Sequence, residues 1–159
     1  MVSVLFVCLG NICRSPSAEA VFRKLLADQD LQSSIECDSA GTSAWHIGSP
    51  PDERAVAVGL QRGVDMRNLR GRQVGKNDFS RFDYILAMDE DNLRHLRGMK
   101  PDDYGGVLDL FLSFSQRASV GEVPDPYYGG RRDFEHVFDL LEGAAQGLLD
   151  DIRRHMQES

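Results

Sequence analysis

The fold of this chain is decided by residues 4–16, which read VLFVCLGNICRSP. The apolar and β-branched run at the start of this stretch predicts a buried strand. Gly10 and Asn11 follow, and both tolerate left-handed backbone angles, so a tight loop is expected there. Ser15 and Pro16 then favour a helix start, with Ser15 as the cap and Pro16 at the first helical position. The stretch therefore predicts a strand, a tight loop and a helix.

This loop combines a thiol with an anion-binding position. A loop entering a helix presents free backbone N–H groups and the positive end of the helix dipole. Arg14 adds a planar guanidinium that matches two oxygens of one phosphoryl group, and Cys8 places a thiol where the strand ends. The helix start, the guanidinium and the N–H groups all favour the thiolate, which can attack phosphorus. The pattern predicts a phosphatase site, with Cys8 as nucleophile and Arg14 holding the phosphate.

Two motifs carry a resemblance to a known family. Cys8, five intervening residues, Arg14 and Ser15 match the signature of the cysteine-dependent protein tyrosine phosphatases, and the position near the start of the chain resembles their low-molecular-weight branch. Residues 125–129, DPYYG, are similar to the general-acid loop of that branch. The resemblance covers essentially the whole chain. It implies hydrolysis of phosphotyrosine in proteins, and of small aryl phosphates, through a phosphocysteine intermediate and without a cofactor or metal.

The resemblance also implies roles for individual residues. Asp125 would be the general acid, protonating the leaving phenolate and then deprotonating the attacking water. The Ser15 hydroxyl, one residue past Arg14, would hydrogen-bond the sulfur and help it leave in the second step. Asn11 would hold the loop, its side chain bonding the backbone or Ser39. The remaining loop residues would surround the bound phosphate: Leu9, Gly10, Ile12 and Cys13.

Three aromatic residues suggest walls around a slot deep enough for a phosphorylated phenyl ring. They are Trp45, Tyr127 and Tyr128, with Leu9 as the expected lower wall. Packing against the fold is the alternative for each aromatic ring. For Tyr128 the sequence does not choose between the two.

Cys13 lies five residues after Cys8, in a loop that curls around one phosphate-sized site. From this spacing, two interpretations stay open. Cys13 fills space beneath the loop, or it forms a reversible disulfide with Cys8 after peroxide has oxidised the Cys8 thiolate. The resemblance favours the second interpretation and so a redox-sensitive enzyme. Buried packing is the expectation for Cys37.

Beyond the first helix, the chain alternates strands with helices. Further strands are expected over 35–41, 82–88 and 107–111, further helices over 52–62, 89–98 and from 133 onward, a helical turn over 76–79, and loops over 69–75 and 115–123. This order predicts an α/β fold, a single-domain three-layer sandwich spanning residues 1–159 with a four-stranded parallel sheet and helices on both faces. The resemblance implies that the first strand is central.

Composition narrows the possible partners and location. Eighteen basic and 25 acidic residues give a net charge of −7, which argues against a nucleic-acid or membrane-surface partner. No apolar run approaches the roughly 20 residues of a membrane span, and no signal peptide is expected. Three cysteines without a disulfide-framework spacing favour a reducing, cytoplasmic setting. Phosphotyrosine-containing proteins are the expected partners, and the expected state is a monomer or weak homodimer.

Three other chemistries fit the sequence less well. Arsenate reduction on this scaffold needs a relay of further cysteines, and no cysteine follows Cys37. A non-catalytic phosphate-binding module is a further alternative, because residues 71–77 superficially resemble a Walker loop. Only three residues instead of four separate the two glycines, however, and Asn follows the Lys. Metal-dependent hydrolysis lacks histidines at ligand spacing.

One departure from the family pattern is Asn68, where several relatives carry histidine, and it receives no role.

Overall fold

Four parallel strands form the centre of the molecule. The computed structural model describes residues 1–116 and 121–158, and within them the strands are β1 (Val2–Cys8), β2 (Ile35–Gly41), β3 (Tyr84–Ala87) and β4 (Val107–Leu110). The helices are α1 (Arg14–Asp28), α2 (Glu53–Gln61), α3 (Asp78–Arg81), α4 (Glu90–Met99) and α5 (Arg131–Glu158), with a 3₁₀ turn over Phe111–Phe114. The strand order is β2-β1-β3-β4, so β1 is flanked on both sides, as the resemblance implied.

Side chains of β1 alternate between the two faces of the sheet, and both faces are covered. Val4 and Phe6 belong to the larger apolar cluster, which α1, α2 and α5 complete. Leu5 and Val7 belong to a second cluster, built with α3 and α4. All four side chains are fully buried. A parallel strand covered on both faces requires a continuous apolar run, and for this reason the sequence predicts β1 well. The predicted α/β sandwich with helices on both faces is confirmed.

The start of α1 differs from the prediction. The helix begins at Arg14, its N-cap position is Cys13, and no side chain caps it. Ser15 is therefore the second helical residue, and its hydroxyl contacts the loop instead of the helix end. Of the two residues expected to take left-handed angles, Asn11 does so, with φ of 58°, whereas Gly10 does not.

Other boundaries shift by a few residues. Asp52 is the cap of α2 and not its first residue, β4 ends at Leu110, and α5 begins two residues before the expected start. The helical turn expected over 76–79 is α3, two residues later. The expected loop over 69–75 includes a parallel bridge between Gly41 and Gln73. The expected loop over 115–123 lies partly outside the described residues. No described helix has the length and apolar character needed to cross a bilayer.

Candidate active site

The carboxyl ends of β1, β2 and β3 bring the candidate residues together. Cys8, the last residue of β1, pairs in register with Gly41, the last residue of β2. A side chain on Gly41 would lie 2.8 Å from the carbonyl oxygen of Leu9, so the close approach of the two strands requires glycine. After β3, the carbonyl of Met88 accepts a 2.8 Å hydrogen bond from the Val123 N–H. This bond holds the segment that carries Asp125 at the same edge of the sheet.

The sulfur of Cys8 lies within hydrogen-bond distance of two groups of the surrounding loop and the first helical turn. The Asn11 N–H lies 3.2 Å from Sγ, and the Ser15 hydroxyl lies 3.0 Å from it. Asn11 Nδ2 donates to the Ser15 oxygen at 2.8 Å, which leaves the Ser15 proton to Sγ or to the carbonyl of Ala40 at 3.3 Å. These donors and the nearby start of α1 stabilise negative charge on sulfur. The arrangement suits a thiolate nucleophile.

Arg14 is buried and is oriented by groups from distant parts of the chain. Its Nη1 donates to Asp89 Oδ2 at 2.6 Å and to the Val123 carbonyl at 3.0 Å. Its Nε and Nη2, which carry three N–H groups, form no hydrogen bond within the described part of the chain, so this edge of the planar fork stays available for an anion. Burial alone would lower the pKa of Arg14, but the charges of Cys8 and Asp89 outweigh it and raise that pKa. The guanidinium therefore stays charged.

Asp125 faces Arg14 across the site. Its Oδ2 lies 3.7 Å from Arg14 Nη2, and its Oδ1 accepts a 3.1 Å hydrogen bond from the N–H of Tyr127. The second contact fixes the carboxylate relative to its own backbone. The side chain stays partly exposed, so Asp125 is open to exchange protons with a ligand or with water.

A cavity of about 230 Å³ opens above the sulfur. Trp45 is 78% exposed, Tyr128 is 96% exposed and Tyr127 is 40% exposed, and the two tyrosine rings meet edge to face at 5.0 Å. The Arg54 guanidinium lies over the Tyr127 ring, 5.6 Å from its centroid, so Trp45 and Tyr128 are the more exposed aromatic side chains. The lining residues are Cys8, Leu9, Gly10, Ile12, Cys13, Arg14, Trp45, His46, Asp125, Tyr127 and Tyr128. The structure thus brings the expected thiol, guanidinium, carboxylate and aromatic residues around one cavity.

Of the two contacts offered for the Asn11 side chain, the one with Ser39 is absent. The Ser39 hydroxyl donates to the buried Glu19 carboxylate at 2.8 Å, and the Asn11 side-chain oxygen instead accepts the N–H of Arg72 at 3.0 Å. Ser39 therefore does not support the loop through Asn11, because its hydroxyl is directed toward α1. The alternative that the Asn11 side chain bonds the backbone is the one found.

The other two cysteines are buried thiols. Burial raises the pKa of Cys13 far above its usual range, and the neighbouring charges of Asp52 and Cys8 raise it further. Burial also raises the pKa of Cys37, to about 12. Cys37 does not line the cavity, whereas Cys13 does. Asn68 is exposed and lies outside the cavity lining.

The sequence did not identify Asp89 and His46 as site residues. The helix expected over 89–98 has Asp89 in its first turn, but α4 begins at Glu90 and Asp89 is its cap, since Oδ1 accepts the Asn92 N–H while Oδ2 binds Arg14. Its position just after β3 was the available signal, since parallel strands collect ligand groups at their carboxyl ends. His46 packs its ring against Gly10, 3.1 Å from where a side chain there would begin. No local pattern indicated that contact.

Comparisons with known proteins agree with this geometry. The family model described as low molecular weight phosphotyrosine protein phosphatase matches residues 3–158. The chain is 43% identical to the low molecular weight protein-tyrosine-phosphatase YfkJ of Bacillus subtilis, with 99% of each chain covered. It is 47% identical to the human low molecular weight phosphotyrosine protein phosphatase, with 93% of this chain and 94% of the relative covered. A crystal structure of a protein tyrosine phosphatase from Entamoeba histolytica superposes with a TM-score of 0.94 at 42% identity, over 98% of this chain and 99% of that chain.

Proposed function

The chain belongs to the low molecular weight phosphotyrosine protein phosphatase family, a family of hydrolases, and we propose that it hydrolyses phosphotyrosine in proteins through a phosphocysteine intermediate. The observation that carries this mechanism is the placement of three groups around one cavity. The Cys8 sulfur accepts the Asn11 N–H and lies 3.0 Å from the Ser15 hydroxyl. The Arg14 fork keeps its Nε and Nη2 donors available, and the Asp125 carboxylate lies 3.7 Å from that fork.

In the first step, the Cys8 thiolate attacks phosphorus in line with the bond to the leaving phenol. A P–S bond forms as the P–O bond breaks, and Arg14 holds two of the equatorial oxygens as charge redistributes. Protonated Asp125 gives its proton to the departing phenolate oxygen, because a phenol leaves at lower cost than a phenolate. The product is a phosphocysteine and a free phenol.

In the second step, water attacks the phosphocysteine. The Asp125 carboxylate removes a proton from this water, the P–S bond breaks, and inorganic phosphate forms. The Ser15 hydroxyl, 3.0 Å from the sulfur, stabilises the departing thiolate by a hydrogen bond. Cys8, Arg14 and Asp125 serve both steps, Ser15 assists the second, and the proposed mechanism uses no cofactor.

The substrate class follows from the walls of the cavity. A phenyl ring carries its phosphate far enough to reach the sulfur at the base while its face contacts exposed aromatic side chains at the rim. Trp45 and Tyr128 provide such faces. The proposed partners are phosphotyrosine-containing proteins in the cytoplasm. The enzyme is proposed to be a monomer or weak homodimer, and residues 1–159 are proposed to form a single domain.

The test is hydrolysis of a chromogenic aryl phosphate in EDTA, with and without vanadate. Wild type and the Cys37→Ser control, whose change is buried outside the cavity, should turn over and be inhibited by vanadate. Cys8→Ser should bind vanadate or phosphate without turnover, because the oxyanion grip remains and the nucleophile is lost. More than trace turnover by Cys8→Ser would disprove the covalent mechanism.

The enzyme is also proposed to be redox-sensitive. Peroxide oxidises the Cys8 thiolate to a sulfenic acid and is itself reduced to water. The Cys13 sulfur then attacks that sulfur, a disulfide forms, and the sulfenic oxygen leaves as water. Both cysteines line the same cavity, which supports this pairing over one with Cys37. The raised pKa of Cys13 keeps little of it ionised, so the ring-closing step is expected to be slower than for an ordinary thiol.

A further inference from the structure

We propose that Arg72 is a positioning residue for the catalytic loop, which it orients through the side chain of Asn11. The inference rests on the proposed function, because the loop it orients is the one that holds Cys8. Arg72 lies 61 residues from Asn11 along the chain and does not line the cavity. Its effect on the reaction therefore passes through other groups.

The backbone of Arg72 fixes the orientation of the Asn11 amide. The Arg72 N–H donates to Asn11 Oδ1 at 3.0 Å, and the other end of the amide donates to the Ser15 hydroxyl. An amide held at both ends cannot flip without losing both bonds. Asn11 itself has a φ of 58°, a conformation that costs free energy for a non-glycine residue unless neighbouring groups hold it. Two groups of Asn11 therefore act on the sulfur: its backbone N–H contacts the sulfur directly, and its side-chain amide acts through Ser15.

The side chain of Arg72 in turn fixes its backbone. Its Nε donates to Asp38 on β2 at 3.1 Å, and its two terminal nitrogens bind both oxygens of Asp78 on α3 at 3.0 and 3.2 Å. This paired geometry is the most directional that a guanidinium forms. Asp78 also accepts the N–H of Gly75 at 2.8 Å, which ties the far end of the same loop to the same carboxylate.

The edge of the sheet completes the restraint. The Arg72 carbonyl accepts the N–H of Gly41 at 2.8 Å, and the Gly41 carbonyl accepts the N–H of Val74 at 2.8 Å. The segment is thus attached to the residue that pairs with Cys8 at the end of β1. A displacement of the Arg72 backbone would reach the sulfur through Asn11 and Ser15.

Arg62 provides a matched control. It also binds two carboxylates, Asp139 at 2.9 Å and Glu142 at 3.1 Å, and its side chain is similarly buried. The Arg62 N–H, however, bonds carbonyls at the end of α2 and not the catalytic loop. Substituting Arg62 by Gln removes comparable ion pairs without touching the loop.

The experiment compares Arg72→Gln, Arg62→Gln and wild type in full-length protein. Because a displacement of about 1 Å in a reacting group costs about 100-fold, the smaller shift expected here should lower kcat by about tenfold. KM should change by less than about twofold, because Arg14 keeps its own contacts with Asp89 and Val123. Arg62→Gln should keep the wild-type kcat. Equal kcat losses in the two variants would reduce Arg72 to a stabilising ion pair and overturn the proposal.

A double-mutant cycle with Asn11→Ala tests the route. If Arg72 acts through the Asn11 amide, Arg72→Gln should cost less than about twofold in kcat once that amide is gone. Additive losses would overturn the proposal. Arg72→Lys, which keeps the charge but not the paired geometry, should give an intermediate kcat and stands in if Arg72→Gln does not fold.

A second measurement does not depend on turnover. The rate at which iodoacetate alkylates Cys8 at neutral pH reports the hydrogen bonds that the sulfur receives, and it should fall several-fold in Arg72→Gln and not in Arg62→Gln. An unchanged rate overturns the positioning role even if kcat falls. If wild type shows no Cys8-dependent turnover while alkylation still responds to Arg72, the proposed function fails and the positioning role stands.

Discussion

The contact between Asp89 and Arg14 gives the sharpest test of the site, since the sequence alone did not identify it. Asp89→Asn replaces one carboxylate oxygen by an amide N–H, while the other oxygen can still cap α4, because Asn caps helices about as well as Asp. With that oxygen used for the cap, the amide N–H faces the Arg14 donor. A charge-assisted hydrogen bond of 2.6 Å to an arginine that is 3% exposed is lost.

Hydrogen bonds to charged groups contribute about 1.5–3 kcal/mol, and each 1.4 kcal/mol is tenfold in rate, so kcat should fall by about 10- to 100-fold. KM should not rise, because removing a negative charge beside the phosphate offsets the poorer orientation of Arg14. The assay is steady-state hydrolysis of an aryl phosphate, with a urea midpoint for each variant to correct for unfolded protein.

The control for this prediction is Asp91→Asn, in the first turn of the same helix. Asp91 pairs with Arg94 at the surface, where both side chains are largely exposed, so its loss should leave kcat unchanged. If Asp89→Asn stays within about twofold of this control, Asp89 is only a helix cap and does not orient Arg14.

Three further predictions concern the acid, the rim and the redox pair. Asp125→Asn should slow cleavage far more for esters of poor leaving groups than for activated ones, and the alkaline limb of the pH–rate profile should vanish; equal losses in single-turnover measurements would make Asp125 structural. Trp45→Ala should reduce the preference for aryl over alkyl phosphates by about 1–3 kcal/mol, with an unchanged melting temperature because the ring is 78% exposed; an unchanged ratio of kcat/KM values would place Trp45 outside the binding slot. Cys13→Ser should stay active but fail to recover with dithiothreitol after peroxide, whereas wild type recovers and peptide mapping finds Cys8 linked to Cys13; a link to Cys37, or equal recovery, would contradict the pairing.

The residues nearest in sequence were the most predictable part of the site. Cys8 and Arg14 are six positions apart, and the strand, the turn and the helix between them each follow from local preferences. The resemblance extended this to Asp125, and the structure brings that residue to the same cavity. Local preference failed at the helix start, because the Ser15 hydroxyl binds the loop and not the helix end.

Contacts between distant segments were decided by the tertiary structure alone. Asp89 is 75 residues from Arg14, and Arg72 is 61 residues from Asn11. The local sequence around these residues does not indicate either contact. Ser39 shows the same limit, since its direction depends on Glu19, 20 residues away on α1.

The physical reason lies in how parallel strands are arranged. Periodicity and turn residues specify each strand, loop and helix, because those preferences act over a few neighbouring residues. The order in which strands pair, and the register of each pair, are set by packing of whole elements against one another. The sequence by itself determined a thiol and a guanidinium at one strand end. The packed sheet alone decided that Asp89 orients that guanidinium and that Arg72 contacts Asn11 beside that thiol.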